Sequence, residues 1–216
     1  MLRPLPIKNI VFDLGGVILD LDSSEAMRRF RTLGLENPED YLGPYGQKGI
    51  FLDFETGRLS IEQLAEAFAR LTGRSCTRQQ MIWAWMGFIS GLDTAKLNHL
   101  ERLAETYSIY LLSNTNPAIM IWADSKDLSP AGRPLSSYFR KMYLSYRMGL
   151  AKPGEDIFRV MAADAGFKPE ETLFVDDGAA NVATASRLGY HTLQPVNGTD
   201  WMPALEKMLA REEQDV

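Results

Sequence analysis

Asp13, the Ser113-Asn114 pair, Lys152 and the Asp176-Asp177 pair are the polar residues of this chain whose types and positions point most directly to chemistry. Each stands at the C-terminal end of an apolar, strand-like run, where open α/β sheets bind their ligands. Taken singly, each has an ordinary explanation in a turn or an exposed strand end. Together they would bring three carboxylates, one ammonium and one hydroxyl to a single sheet edge. Carboxylates held that close repel one another unless a cation sits among them, and all-oxygen ligands select a hard ion such as Mg²⁺. A metal bound by few carboxylates keeps open positions for water and a phosphate oxygen. Lys152 and the Ser113 hydroxyl would balance the remaining negative charge, which is the outline of a phosphoryl-transfer site.

Such a site needs an α/β scaffold, and the runs that would build it are present. Ile7 to Phe12 ends at Asp13 and is followed by Gly15 and Gly16, which reads as a buried strand and a tight turn. Similar runs at Ser108 to Leu112, Met142 to Leu144, Thr172 to Val175 and His191 to Leu193 are predicted as further parallel strands. Helical spacing of apolar residues lies between them at 95–105, 156–165 and 181–188, with a last helix over about 202–211. From about residue 19 to 91 the character changes: no strand is predicted, and helical patterns at 24–33, 47–55, 60–71 and 77–87 follow one another. Ser60 with Gln63 fits a capping box ahead of the stripe Leu64, Ala67, Phe68 and Leu71. The expected architecture is an α/β core of residues 1–18 and 92–216, interrupted by an all-helical cap over residues 19–91.

With 23 Lys and Arg against 28 Asp and Glu, the net charge of −5 argues against nucleic acid or an anionic membrane as partner. A small molecule is expected instead. Cys76 stands alone, so no intrachain disulfide can form, and a reducing, cytoplasmic setting is predicted. No run approaches the ~20 apolar residues that span a bilayer. Asp13 interrupts the apolar N-terminal stretch, and no small-residue cleavage site follows it.

Four stretches carry a resemblance to a known family. IVFDLGGVILDLD resembles the first motif of haloacid dehalogenase superfamily hydrolases, LLSNT the second, AKP the third and FVDDGAANV the fourth, in order and over nearly the whole chain. The helical block, including FETGRLSIEQLAEAF, resembles the cap of the branch that contains sugar-phosphate phosphatases. The resemblance implies a Rossmann-like core, a mobile lid and a small phosphorylated metabolite as substrate. It implies Asp13 as the nucleophile that forms an aspartyl-phosphate. Asp13, the Gly15 carbonyl, Asp176 and Asp177 would hold Mg²⁺. Ser113 and the Asn114 backbone N–H would bind a phosphoryl oxygen, and Lys152 would stabilise charge on nucleophile and phosphoryl group. A monomer or weak homodimer is expected.

One position departs from the family pattern. The residue two past the nucleophile is usually a second Asp that serves as general acid and base, and here it is Gly15. General acid–base catalysis is worth about 10²–10⁴-fold. The chain therefore reads either as a phosphatase with a substitute proton donor or as a weakly active, phosphate-binding regulatory member. Asp20 and Glu55 are the candidate substitutes. His99 and His191 lie near no Cys or second His, so zinc is not expected and both read as structural. The segment 43–49 lacks P-loop spacing and reads as a cap turn. Trp83, Trp85, Met86 and Phe88 read as a packing cluster, and Lys126 and Arg133 as weaker candidates for reaching a substrate.

Overall fold

Runs without a polar face are stable only when covered on both sides, and this chain uses them for the middle of a parallel sheet. In the computed structural model, which describes residues 6–43 and 46–214, β1 (Asn9–Phe12) leads through a tight turn to β2 (Leu19–Leu21). The helices α1 (Ser23–Thr32), α2 (Ile50–Glu55), α3 (Ile61–Thr72) and α4 (Arg78–Met86) follow, and β3 (Ile89–Leu92) returns the chain to the core. Helices and strands then alternate: α5 (Thr94–Ala104), β4 (Ser108–Ser113), α6 (Pro117–Ala123), β5 (Lys141–Leu144), the single turn α7 (Ser145–Met148), α8 (Glu155–Ala165), β6 (Thr172–Val175), α9 (Ala179–Arg187), β7 (His191–Leu193) and α10 (Met202–Gln214).

The five-stranded sheet has the order β5-β4-β1-β6-β7, with every pair parallel. All residues of β1 and β6 are buried. Alternation along β1 sends Ile10 and Phe12 to one face, with Leu100 of α5, Leu205 of α10 and Trp201 just before that helix. Val11 points to the other, with Phe158 and Met161 of α8 and Ala185 of α9. Each such fully buried side chain contributes about 1.5–3 kcal/mol, so the strand that carries Asp13 is firmly held. Phe12 is level with Leu111 on one side and Val175 on the other. The residues that follow these strands consequently open onto one edge of the sheet.

The helices between β2 and β3 have a core of their own. Phe30, Phe51, Phe54, Leu64, Phe68, Met81 and Trp85 are buried together. Phe30 meets Phe51 edge-on at 5.3 Å and Trp85 at 5.9 Å, geometries that add to simple burial. The capping box at Ser60 and Gln63 is present, and a second forms at Thr77 and Gln80. Ala118 and Ile119 of α6 join this cluster and tie it to the α/β core.

One expectation for this region requires correction. It is not all helical, because β2 and β3 pair antiparallel where the chain leaves and re-enters the core, Leu19 opposite Leu92 and Leu21 opposite Ile89. Three residues of β2 and the ISGL of β3 have little strand character in their composition. Their conformation comes from two backbone segments meeting at the same place, which no local pattern records.

Candidate active site

Asp13 follows β1 directly, Ser113 ends β4, and Asp176 and Asp177 follow β6. Lys152, expected at the end of a strand, instead enters from the loop before α8, because the chain turns through α7 after β5. Its ammonium lies 3.0 Å from Asp13 Oδ1, 2.6 Å from Asp176 Oδ2 and 2.9 Å from the Leu112 carbonyl, so each of its three protons has an acceptor. Lys152 and Asp176 are almost wholly enclosed. The predicted cluster is therefore brought together, with the ammonium bridging two strand ends.

Asp176 is fixed from two further sides. Its Oδ1 accepts from the Gly178 N–H at 2.7 Å and from Asn181 Nδ2 at 3.0 Å. Asp13 Oδ1 also accepts from the Leu14 N–H at 2.7 Å. Asn114 does more than present its backbone. Its side chain donates to the Lys152 carbonyl at 2.8 Å and accepts from the Lys152 N–H at 2.9 Å, clasping the lysine loop to the end of β4. Gly16 has φ +77°, and a Cβ there would sit 2.2 Å from Asp177 Oδ2. The turn after Asp13 thus needs glycine both for its backbone and for room beside Asp177.

The electrostatics of this cluster favour a cation. Burial, with Asp176 adding to it, raises the pKa of Asp13 against the opposing pull of Lys152. Asp177 is pushed up to about 6 by burial and then by Asp176. Burial alone would lower Lys152, but the charges of Asp13 and Asp176 outweigh it and the ammonium is held more firmly. One positive charge thus faces three carboxylates. Asp13, Asp176 and Asp177 each offer an oxygen, and these oxygens lie within 4.8 Å of one another. That donor set and spacing suit a hard divalent ion, whose charge would offset the excess.

Asp13 and Asp177 lie at the floor of a cavity of about 110 Å³, well above the roughly 10–15 Å³ that one water needs. Asp13, Gly15, Ser113, Asn114, Lys152 and Asp177 line it from the sheet. Gln47, Glu55, Trp85 and Phe88 close it from the helical side, with Thr115 and Asn116 at the junction. Four of these lining residues have a buried polar atom with no hydrogen-bond partner among the described residues: Gln47 Oε1, Trp85 Nε1, Thr115 Oγ1 and Asn116 Nδ2. Buried polar groups are normally satisfied by protein or by ordered water.

The remaining expectations divide. Glu55 is buried on the cavity wall, whereas Asp20 is paired at 2.9 Å with the buried Lys96 and does not line the cavity. Asp20 is therefore set aside as a proton donor. Trp85 and Phe88 pack in the helical core as expected, while Trp83 is exposed and lies under the Arg29 guanidinium at 5.0 Å. His99 is buried against Trp201 and, like His191, stands apart from the cavity. Arg133 instead binds Glu101 and stacks on Tyr138, and neither it nor Lys126 lines the cavity. Residues 44 and 45 lie outside the described residues, but Gly43 and Gly46 hydrogen-bond across the turn and border the cavity. Asn181, Thr115 and Asn116 were not singled out by sequence. Only their convergence in space marks them.

Comparison with known proteins agrees with this geometry. Residues 7–189 match the haloacid dehalogenase-like hydrolase family. A D-ribitol-5-phosphate phosphatase from Bacteroides thetaiotaomicron is 45% identical over 203 residues, covering 94% of this chain and 98% of its own. The structure of a predicted hydrolase of the same family from Porphyromonas gingivalis superposes with a TM-score of 0.91 at 48% identity, covering 95% of this chain and 98% of that one. A family enzyme from B. thetaiotaomicron, solved with magnesium and inorganic phosphate, superposes with a TM-score of 0.84 at 36% identity over 92% of this chain and 98% of its own. With its fold, its strand-end carboxylates and this match over most of its length, the chain belongs to the haloacid dehalogenase-like hydrolase family.

Proposed function

We propose that the protein is a Mg²⁺-dependent phosphatase of a small, hydroxyl-rich phosphomonoester, with Asp13 as nucleophile. The observation that carries this reading is the buried constellation of Asp13, Lys152, Asp176 and Asp177 on one sheet edge. Asp13, Asp176 and Asp177, with the Gly15 carbonyl, would hold the metal, which supplies positive charge to the phosphoryl oxygens. Lys152 orients the Asp13 carboxylate and offsets charge on the phosphoryl group. Ser113 and the Asn114 N–H bind a phosphoryl oxygen. Asp13 attacks phosphorus to give an aspartyl-phosphate, which water then cleaves. Residues 19–91 act as the cap that closes the cavity and excludes bulk water.

The polar side chains that line the cavity, among them Gln47, Ser113, Thr115 and Asn181, support a substrate rich in hydroxyls, since an apolar leaving group would offer them no partner. A pentitol phosphate, the substrate named for the B. thetaiotaomicron relative, meets that requirement. Phosphate release from D-ribitol 5-phosphate, other sugar phosphates and an aryl phosphate tests the reading, with Mg²⁺ and with chelator, in wild type and Asp13→Asn. Metal-dependent release that the substitution removes is the expected result. Phosphate binding without turnover would instead favour a regulatory role.

A further inference from the structure

The cavity has few groups able to move a proton. Among its described lining residues the titratable side chains are Asp13, Glu55, Lys152 and Asp177, and no described His, Tyr or Cys is among them. In the phosphatase reading, on which this inference rests, Asp13 attacks phosphorus and Asp177 faces the metal. Lys152 has all three protons committed to Asp13, Asp176 and the Leu112 carbonyl. Gly15 has no side chain, and the space in front of it is taken: a Cβ there would meet Leu21 Cδ1 at 2.7 Å. Among the described lining residues that leaves one carboxyl group, and it stands on the opposite wall from the nucleophile's strand.

We propose that Glu55 is the general acid and base of this enzyme, protonating the leaving-group oxygen and then activating the hydrolytic water. Glu55 is the last residue of α2 and is buried on the helical side of the cavity. Its position is set by the α/β core and not by the bundle alone. Ser145 Oγ donates to the Glu55 carbonyl at 2.6 Å and accepts from the Thr115 N–H at 3.0 Å, joining the end of α2 to the residue two past Ser113. Two residues on, Gly57 has φ +71°, and a Cβ there would lie 2.0 Å from the Tyr146 carbonyl. The bundle therefore docks onto α7 through a backbone approach that only glycine permits, beside Glu55.

The chemistry of the position fits the role. Burial pushes the Glu55 carboxyl up to about 8, partly opposed by a hydrogen bond from Gln47 and reinforced by the charge of Asp13. Burial thus favours the protonated carboxyl, the form an acid catalyst must bring to the reaction. In the first step a bond forms between an Asp13 carboxylate oxygen and phosphorus while the ester P–O bond breaks. The Glu55 proton goes to the departing oxygen, which leaves as the neutral alcohol. In the second step the water oxygen bonds to phosphorus as the Glu55 carboxylate takes its proton, the bond between phosphorus and the Asp13 oxygen breaks, and phosphate leaves with Asp13 again a carboxylate and Glu55 again protonated.

The experiment is a leaving-group comparison in the full-length, Mg²⁺-loaded protein. Turnover of an alkyl substrate, D-ribitol 5-phosphate, and of an activated aryl phosphate is measured for wild type, Glu55→Gln, Glu55→Asp and Asp13→Asn. Glu55→Gln is expected to lower kcat for the alkyl ester about 10²–10⁴-fold and to leave the aryl ester within about tenfold, because a good leaving group needs no proton. Glu55→Asp, which keeps the acid one methylene shorter, is expected to recover part of the alkyl activity. Retained aryl turnover reports that the variant is folded. Equal loss on both esters, or no loss on the alkyl ester, overturns the assignment of Glu55 while leaving an Asp13-dependent phosphatase in place. A wild type inert toward both esters, or an Asp13→Asn variant as active as wild type, overturns the phosphatase reading and this assignment with it.

Discussion

The two walls of the cavity are built on different principles. On the sheet side the charged groups bind one another: Lys152 has three acceptors, and Asp176 is held by Lys152, the Gly178 N–H and Asn181. On the helical side and its junction, Gln47, Trp85, Thr115 and Asn116 each keep a buried polar atom without a partner among the described residues, and Glu55 is held above its ordinary pKa. In the proposed phosphatase the self-bonded wall would be preorganised for one invariant group, the phosphoryl unit. The unsatisfied wall would be completed by ordered water or by its ligand, and contacts of the second kind are how a site discriminates among leaving groups.

Substitutions can break this contrast. Asp13→Asn strikes the centre of the self-bonded wall and should lower phosphate release by roughly 10⁴-fold or more in a steady-state assay. Lys152→Met leaves Asp13 and Asp176 buried without their counter-ion, and denaturant unfolding should show a loss of about 3–5 kcal/mol. Replacement of Asn181 by Ala should be milder, because Asp176 keeps its other partners.

The helical wall responds differently, and to pH. The folded pKa of Glu55 is raised from 4.5 to about 8, so its neutral burial favours folding fully below about 4.5 and that advantage is lost as pH rises through about 8. In metal-free protein, Glu55→Gln should equal wild type in stability near the acidic end. It should exceed it by a few kcal/mol at alkaline pH, as read from denaturant midpoints. A constant difference across that range would show that Glu55 is not buried in its protonated form. The smallest effect is expected farthest from the cavity. Trp83→Ala removes an exposed ring under Arg29 and should cost about 0.5–1 kcal/mol with unchanged turnover, whereas truncating the enclosed Trp85 should cost about 3–5 kcal/mol.

The sequence made one wall far more legible than the other. Asp13, Ser113, Asp176 and Asp177 sit at the ends of runs whose burial is forced by composition, so parallel pairing aligns them, whereas Lys152 comes from the loop before α8 and is held there by Asn114 and its ion pairs. The ribbon of β2 and β3 could not be read this way, because Leu19 and Leu92 are brought opposite each other only by the closure of the intervening bundle. Asp20 and Glu55 were equal candidates as letters. What separates them is Lys96, far along the chain, which claims Asp20, and the Ser145 anchor, which turns the end of α2 toward the cavity. Thr115 and Asn116 belong to residue types common in turns and caps, and Asn116 does cap α6. Their unpartnered atoms become evident only with the neighbouring walls in place.

The most direct test of the account is rapid-quench mass spectrometry during turnover of D-ribitol 5-phosphate with Mg²⁺. A transient phosphoryl adduct on the peptide that contains Asp13, absent with chelator, is the predicted result. Rapid turnover with the phosphoryl group trapped on another residue would contradict it.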